Sequence, residues 1–550
     1  VTTNRADSDF QQLSALRGLD ERQRRMLDLR AAHAGTRYSH VVVEGQQIPA
    51  LPWDKDTTEQ GTRIPASRRR PLVQLGVPGD IVDRIVDLAV GQGRFPAIEV
   101  EGDDAGRLRE VALGDDDLEL AYHAPDQLED LTLVGSALLG FSRQEPEGGV
   151  VRWESVRIRT EWAEPVFVGG RYSDRARQLA AELAEVPGSG VVADPDDGLP
   201  VFALPVGARS DDVAFVCHQW PVAEEVAHET SAATRDRVTW YRRDYTSTAI
   251  IDYEPVSVHR SDQRAPVFVP RPVEPHNWGV VPLVWIKARG AAASETEGRS
   301  ILTPPVLDLT AAADRSKSFE TQASWTSGAP VLIERDVTDS ERDALMLDPT
   351  AADDADVVVV GPKSVIRYNS VGDRDGEVFL LEPNAAGIEA LRGNVETLVD
   401  HAYETGRVVR HDPEKLGGAL SGLAVERLNE PSMAQAESYR AILGRAWRIL
   451  LNKLAVAMDF EGEPGVDAEA FEITLRWPRI FRLTAQDITV WVTALSGGVA
   501  AGLLLRETAI KLLASILEVE DAEAEAEQLL IERGLAPFSG PRIEQPAEEE

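Results

Sequence analysis

Residues that could do chemistry are few in this chain, and most stand at the wrong spacing. Val357–Val360 runs into Gly361-Pro362-Lys363-Ser364, the outline of a strand feeding a phosphate loop. Such a loop needs a glycine five residues before its Gly-Lys-Ser run, so that backbone N–H groups wrap the phosphate. That glycine is missing and Pro362 breaks the Gly-Lys step, so the segment reads as a strand and turn. Cys217-His218 sets a thiol beside an imidazole, but neighbours on a strand point to opposite faces, and Cys217 reads as a core residue. His218, His228 and His259 lack metal spacing; Ala232 stands where a zinc helix starting at His228-Glu229 needs its second histidine. Asp115-Asp116-Asp117 and Asp194-Pro195-Asp196-Asp197-Gly198 read as charge-rich turns. One group remains. Arg407, Arg410, His411 and Lys415 cluster in a segment that also carries Gly417, Gly418 and Gly422. By themselves these residues read either as a mobile surface loop with ordinary charges or as point charges that could meet a phosphate. No catalytic residue, metal or cofactor is assigned, and the expectation is a chain that is not an enzyme. A triad is assembled in space and leaves no trace in sequence order. The alternative is therefore a cytoplasmic enzyme with a helical-hairpin insertion.

Composition narrows the anion question. The 550 residues carry 57 Lys and Arg against 92 Asp and Glu, a net charge of −35. A protein that coats nucleic acid needs a broad basic surface, so any contact with DNA must be local. Only seven of the basic residues are lysines, a bias attributed to a GC-rich genome. A single cysteine excludes a disulfide framework and suits a reducing compartment. The first 30 residues are mixed and polar and do not read as a signal peptide. Ile488–Leu505 holds no charge and is long enough to span a membrane, which would suit a membrane-attached scaffold. Ser496-Gly497-Gly498 in its middle argues instead for a buried helix-turn-helix broken at that point.

The elements that must position the loop follow from periodicity. Residues 1–145 read mostly helical: Asp80 is placed as the cap of a helix burying Ile81, Ile85 and Leu88, and Asp126 as the cap of one running through Leu128, Leu131 and Leu138. Residues 150–290 read as antiparallel strands around a helix at Ser173–Val186, with Val267–Val269 an edge strand at best. Thr303-Pro304-Pro305 opens a helix that Ser327-Gly328 closes. A small β-rich insert fills 329–383, and a second helix follows from Asn384 with Ile388, Leu391, Val395, Leu398 and Ala402 on one face. Two helices bracketing a small domain read as a stalk with a tip. The turn-rich Val408–Ser421 leads to a long apolar helix from Pro431 to Met458, then an alternating strand at Phe471–Trp477. Thr484-x-x-Asp487 is an N-cap signal for a final helical region, and the last residues form an acidic tail. The fold class is α+β.

The order of parts carries a resemblance. His276-Asn277-Trp278-Gly279-Val280-Val281-Pro282-Leu283-Val284 leads into a strand, and helix, tip, helix, glycine loop, long helix, strand and final helices follow. The loop holds Asp412-Pro413-Glu414-Lys415-Leu416-Gly417-Gly418, then Ser421-Gly422-x-Ala424-x-x-x-Leu428; Gly502-Leu503-Leu504-Leu505-Arg506-Glu507-Thr508-Ala509 stands near the end. In these motifs the chain resembles the portal proteins of tailed double-stranded DNA bacteriophages, of the long-tailed type, across about 250 residues. Residues before 270 match in type only. Pro431 departs from the family by sitting ten residues into what is usually one continuous helix, so the helix either starts there or bends.

The resemblance implies a portal fold. Its parts are an α/β wing (1–302), a first stem helix (303–328), a small β-rich clip (329–383) and a second stem helix (384–407). A tunnel loop (408–422), a long helix with a wing strand (423–483), a helical crown (484–534) and an acidic tail (535–550) follow. It implies a homo-oligomeric ring of twelve at the capsid vertex of the virion, assembled in the host cytoplasm. Its partners would be the terminase large subunit, the head-tail adaptor, the major capsid and scaffolding proteins, and double-stranded DNA that passes without being read. Arg407, Arg410, His411, Lys415, Gly417 and Gly418 would face that DNA. The charge agrees with this: a conduit for a polyanion should repel it on average and touch it at few points.

Overall fold

The computed structural model describes residues 19–516 apart from 38–39, 44–45, 50–72, 102–107, 109–110, 112–119, 145–151, 169–172, 194–199, 203–208, 210–211, 224–236, 260–265, 274, 291–294, 329–330, 336–364, 369–376, 382–384, 411–425, 464–465, 467–471 and 481–484. The chain is mixed α and β. Helix α1 (Glu21–His33) starts on a capping box in which the Asp20 carboxylate accepts from the Gln23 amide and the Gln23 side chain accepts from Asp20 N–H. A hairpin of β1 (His40–Val43) and β2 (Gln46–Pro49) follows.

Helix α2 (Val77–Val90) begins one turn earlier than Asp80 would place it. Its N-cap is Gly76, held at φ 67°, and Pro78 lies in the first turn, where a missing N–H costs little. Ile81 and Ile85 are fully buried, each contributing about 1.5–3 kcal/mol of apolar burial, so the inward face matches the periodicity. After β3 (Ala97–Glu101), helix α3 (Leu120–Leu133) contains Pro125 and continues through it. Asp126 is thus an interior residue rather than a cap, and Leu138 belongs to the next strand.

Strands β4 (Ser136–Gln144) and β5 (Arg152–Ile158) pair antiparallel. Then come β6 (Ala163–Phe167) and α4 (Asp174–Ala184), which Ser173 caps through the Ala176 amide. The short β7 (Val191–Ala193) and β8 (Pro200–Phe202) make a hairpin. Strands β9 (Val213–Ala223), β10 (Arg237–Tyr245), β11 (Ile250–Asp252) and β12 (Val256–His259) complete a sheet in which β10 pairs with β9, β11 and β12, and β9 pairs with β6. Residues 267–269 form no strand; a single bridge joins Tyr253 to Pro270. Beyond it, β13 (Leu283–Lys287) pairs with β4.

Helix α5 (Pro304–Gly328) carries its proline pair in the first turn, as read from the sequence. Strands β14 (Val331–Arg335), β15 (Val365–Tyr368) and β16 (Glu377–Leu381) form a separate sheet with β14 central, parallel to β15 and antiparallel to β16. Helix α6 (Ala385–Thr405) returns along α5. Asn394 donates to the Ser316 hydroxyl, and Glu320 accepts from both Lys317 and Arg392, so rising numbers on one helix meet falling numbers on the other. The pair is antiparallel.

Helix α7 (Glu430–Phe460) runs through the main core, burying Leu443, Trp447, Leu450, Leu451 and Leu454. Pro431 occupies its first turn, with Asn429 as the N-cap after a single helical turn at 426–428, so the long helix starts at the proline. Gly444 lets β17 (Glu472–Arg476) and its neighbour Trp477 approach: a Cβ there would lie 2.9 Å from the Trp477 Nε1. Strand β17 pairs with β3. Helix α8 (Ala485–Ala500) passes straight through Ser496-Gly497-Gly498, and the break falls later, at Gly502 with φ 70°, before α9 (Arg506–Ile516). The hairpin is not buried within the chain either: Val490 is 61 % and Leu503 83 % exposed. No helix among the described residues is long and apolar enough to cross a membrane.

Candidate functional site

The loop that follows α6 is built outward from a helix end. Gly406 N–H donates to Ala402 O at 2.9 Å, Arg407 N–H to Glu404 O at 3.0 Å, and Val408 N–H to Tyr403 O at 2.9 Å. The last two bonds are the pair that closes a helix on a left-handed residue, and Arg407 is that residue, at φ 55°. Tyr403 and Val408, the positions whose side chains meet in this motif, are both buried. Glycine normally takes the left-handed place, because a Cβ there crowds the next carbonyl at a cost of about 1–2 kcal/mol. A non-glycine residue persists there only when its surroundings hold it.

Those surroundings are visible. Val409 N–H donates to the Ser432 hydroxyl at 2.8 Å, and Gln435 Nε2 donates to Gly406 O at 3.1 Å, both from the first turns of α7. Arg84 on α2 donates to Val409 O at 3.1 Å. The chain on either side of residues 411–425 is therefore fastened together at its base.

Electrostatics centre on Tyr403. Its hydroxyl donates to Asp80, which also accepts from Arg84 at 3.1 Å. The Arg84 guanidinium lies 5.3 Å from the Tyr403 ring centroid and that of Arg410 lies 6.0 Å away. Burial, together with the hydrogen bond to Asp80 and its charge, pushes the phenol well above its ordinary value, so it stays protonated. Asp80, expected as a cap, serves here as an acceptor.

Two of the six loop residues singled out from sequence are described. Arg410 donates to Asp400 at 2.9 Å, with both side chains nearly half exposed. Arg407 is exposed and pairs with no acid among the described residues. His411, Lys415, Gly417 and Gly418 lie outside the described residues. Chemically, the described part holds two guanidinium groups at the neck of a loop, suited to phosphate or carboxylate. Sequence reading missed Tyr403, Asp400, Ser432 and Gln435. Arg84 carried one usable signal, its i,i+4 spacing from Asp80.

The other motifs fall elsewhere. Cys217 is buried, and burial followed by the charge of Asp244 raises its thiol well above the ordinary range. His218 stacks on Trp220 with ring centroids 4.1 Å apart; burial, then the charge of Arg243, lowers it to about 3, so it is neutral. Residues 115–117, 194–198, 228 and 361–364 lie outside the described residues. Among those that are described, no group of three or more His, Cys, Asp or Glu could hold a metal ion. Compared with known proteins, the chain matches no family model and no curated protein.

Proposed function

We propose that this chain is a subunit of the portal ring of a tailed double-stranded DNA bacteriophage, a structural protein rather than an enzyme. Twelve copies would surround a channel at the capsid vertex through which DNA is packaged and later ejected. The observation that carries this reading is the connection between α5 and α7. An antiparallel helix pair projects a small separate sheet, and its second helix turns through a fastened loop into the central helix of the core. A stalk with a tip beside a loop with arginines at its neck suits a conduit that docks partners at one end and touches DNA at few points.

Two further features support it. Strands β15 and β16 are the outer strands of the small sheet, and outer edges offer pairing to a neighbour or an adaptor. The hairpin of α8 and α9 exposes Val490, Trp491, Val492, Leu503 and Leu505, apolar side chains that a neighbouring copy could cover. In this reading the stem is α5 with α6, the clip is the sheet of β14–β16, and the crown is α8 with α9. The clip would receive the terminase large subunit and the head-tail adaptor, and the rim would meet major capsid and scaffolding proteins. Native mass spectrometry tests the stoichiometry: twelve copies of the 60.1 kDa chain weigh about 720 kDa, whereas a monomer or dimer would fit an enzyme with a helical-hairpin insertion.

A further inference from the structure

Away from the loop, β13 is the edge of its sheet and pairs with β4 alone. Two bonds fix which of its backbone groups that ladder uses. Phe141 N–H donates to Pro282 O at 3.0 Å and Ala288 N–H to Gly135 O at 2.9 Å, so the even-numbered residues turn their backbone groups to β4. Leu283 and Trp285 then turn theirs to the open edge. Lys453 on α7 agrees with that direction, because its ammonium donates to the Leu283 carbonyl at 2.8 Å. The backbone N–H and C=O of Trp285 have no partner among the described residues. Its indole belongs to another face of β13, edge-on to Phe167, 5.7 Å from the Arg22 guanidinium and donating to Thr296 O. The Lys287 ammonium lies on that face too, 4.0 Å from the Phe167 ring centroid.

The open edge borders a cleft of about 190 Å³. Ile442, Ala446 and Ile449 of α7 line one side, and Asp212 with Val213 at the start of β9 lines the other. A free strand edge beside a helix is the arrangement that takes an added strand, with main-chain bonds on the edge and side chains against the helix. Lys453 lies at one end, 9 % exposed, and forms no ion pair among the described residues. The Asp212 carboxylate is held by Arg209 N–H at 2.8 Å. An ammonium has three N–H groups, and burying one without a counter-charge is costly. We propose that this cleft binds the C-terminal end of a peptide as a short antiparallel strand on β13, its penultimate residue paired with Trp285 and its terminal carboxylate on Lys453. A chain end is required because Lys453 already holds the Leu283 carbonyl and bars the ladder from continuing. Leu283 is two residues, about 7 Å, from Trp285, so the residue after the paired one brings its carboxylate to the ammonium. The pleat turns that last side chain toward α7, where Ile449 favours an apolar residue. This site does not depend on the ring reading. Burial brings the amine down to about 8, partly offset by Asp212, so an arriving carboxylate should drive it up again.

The experiment titrates the full chain with the tripeptide Thr-Thr-Val, acetylated at its N-terminus, and reads binding by calorimetry and by hydrogen exchange resolved to single amides of β13. Binding should slow exchange at the Trp285 amide about tenfold or more and leave Val284 and Ile286, already in the ladder, unchanged. The same peptide ending in a carboxamide should bind about tenfold more weakly. So should one methylated on its middle amide nitrogen, the group that would donate to the Trp285 carbonyl. Lys453→Met and Ile449→Glu should each weaken the acid peptide about tenfold. The peptide series is read on the unaltered chain, so it decides even if a variant fails to fold. Equal binding of the acid and the carboxamide would overturn the proposal. So would equal binding of the methylated peptide, a Trp285 amide whose exchange saturating peptide leaves unchanged, or no binding of the acid peptide at about 1 mM.

Discussion

The backbone amide of Val409 and the hydroxyl of Ser432 meet at 2.8 Å, joining the start of the loop to the first turn of the helix that follows it. Ser432 is buried, so this bond replaces water at both partners and holds Val409 against the start of α7. Arg407, two residues before, holds the left-handed turn that aims the chain at this clasp.

Arg407→Gly separates the two roles that position could have. Glycine takes φ 55° without the Cβ penalty, so the substitution should stabilise the chain by about 1 kcal/mol, a rise of about 1–2 °C in Tm. If Arg407 contacts DNA, the same variant should package or retain less DNA per head while melting higher. A lower Tm would show that the arginine side chain, not its backbone, holds the turn.

Replacing Arg410 and Lys415 with Ala should leave ring assembly intact and lower the DNA retained per head, with an effect that shrinks at high salt. The half-exposed pair with Asp400 is worth about 0–1 kcal/mol, so losing it should barely change stability. Asp400→Asn should act oppositely by freeing Arg410. Wild-type retention in the double variant would move the DNA contact away from this loop.

How much of this was legible in sequence differs by element. The start of α5 was plain, because Pro304-Pro305 can open a helix but not continue one. The alternation in β17 was plain too, but its partner β3 lies some 370 residues away and leaves no local mark. The start of α2 was misread because Gly76 supplies a left-handed cap and leaves Asp80 free to accept from Tyr403. The break in the last helical hairpin was misplaced because Gly497 and Gly498 stay helical and only Gly502 adopts positive φ. At the loop, the arginines were visible as charges. That one ends a helix and the other pairs with Asp400 was not, since neither a positive φ on arginine nor a pair ten residues apart has a sequence signature.

Removing residues 330–382 and joining α5 to α6 should leave the rest of the chain folded, because the two helices pair with each other and with the core. In an infected cell that variant should fail in motor docking and tail attachment. Normal packaging would refute the assignment of the small sheet as the clip.

Stability should fall as pH rises through the range of His33. Its Nε2 lies 3.0 Å from Asp83 and its Nδ1 3.7 Å from Glu129, joining α1 to α2 and α3. Burial and the charge of Arg30 pull its pKa down, but Asp83 and Glu129 outweigh them and leave it raised. The folded state therefore holds this proton more tightly than the unfolded one. The contribution is complete below about 6.5 and is lost as pH climbs through the raised value. Glu129, raised chiefly by burial, acts in the same direction at lower pH. His33→Asn should flatten the decline above about pH 6.5 in denaturant unfolding, by about 1 kcal/mol. A wild-type decline that survives in His33→Asn would assign it to other groups.

The central claim is a closed ring with an axial channel, and negative-stain imaging of the purified chain tests it most directly. The account predicts end views with rotational symmetry of twelve around a central opening, and side views with a narrow stalk below a broad body. Fields of single compact particles at micromolar concentration, with no ring among them, would contradict it.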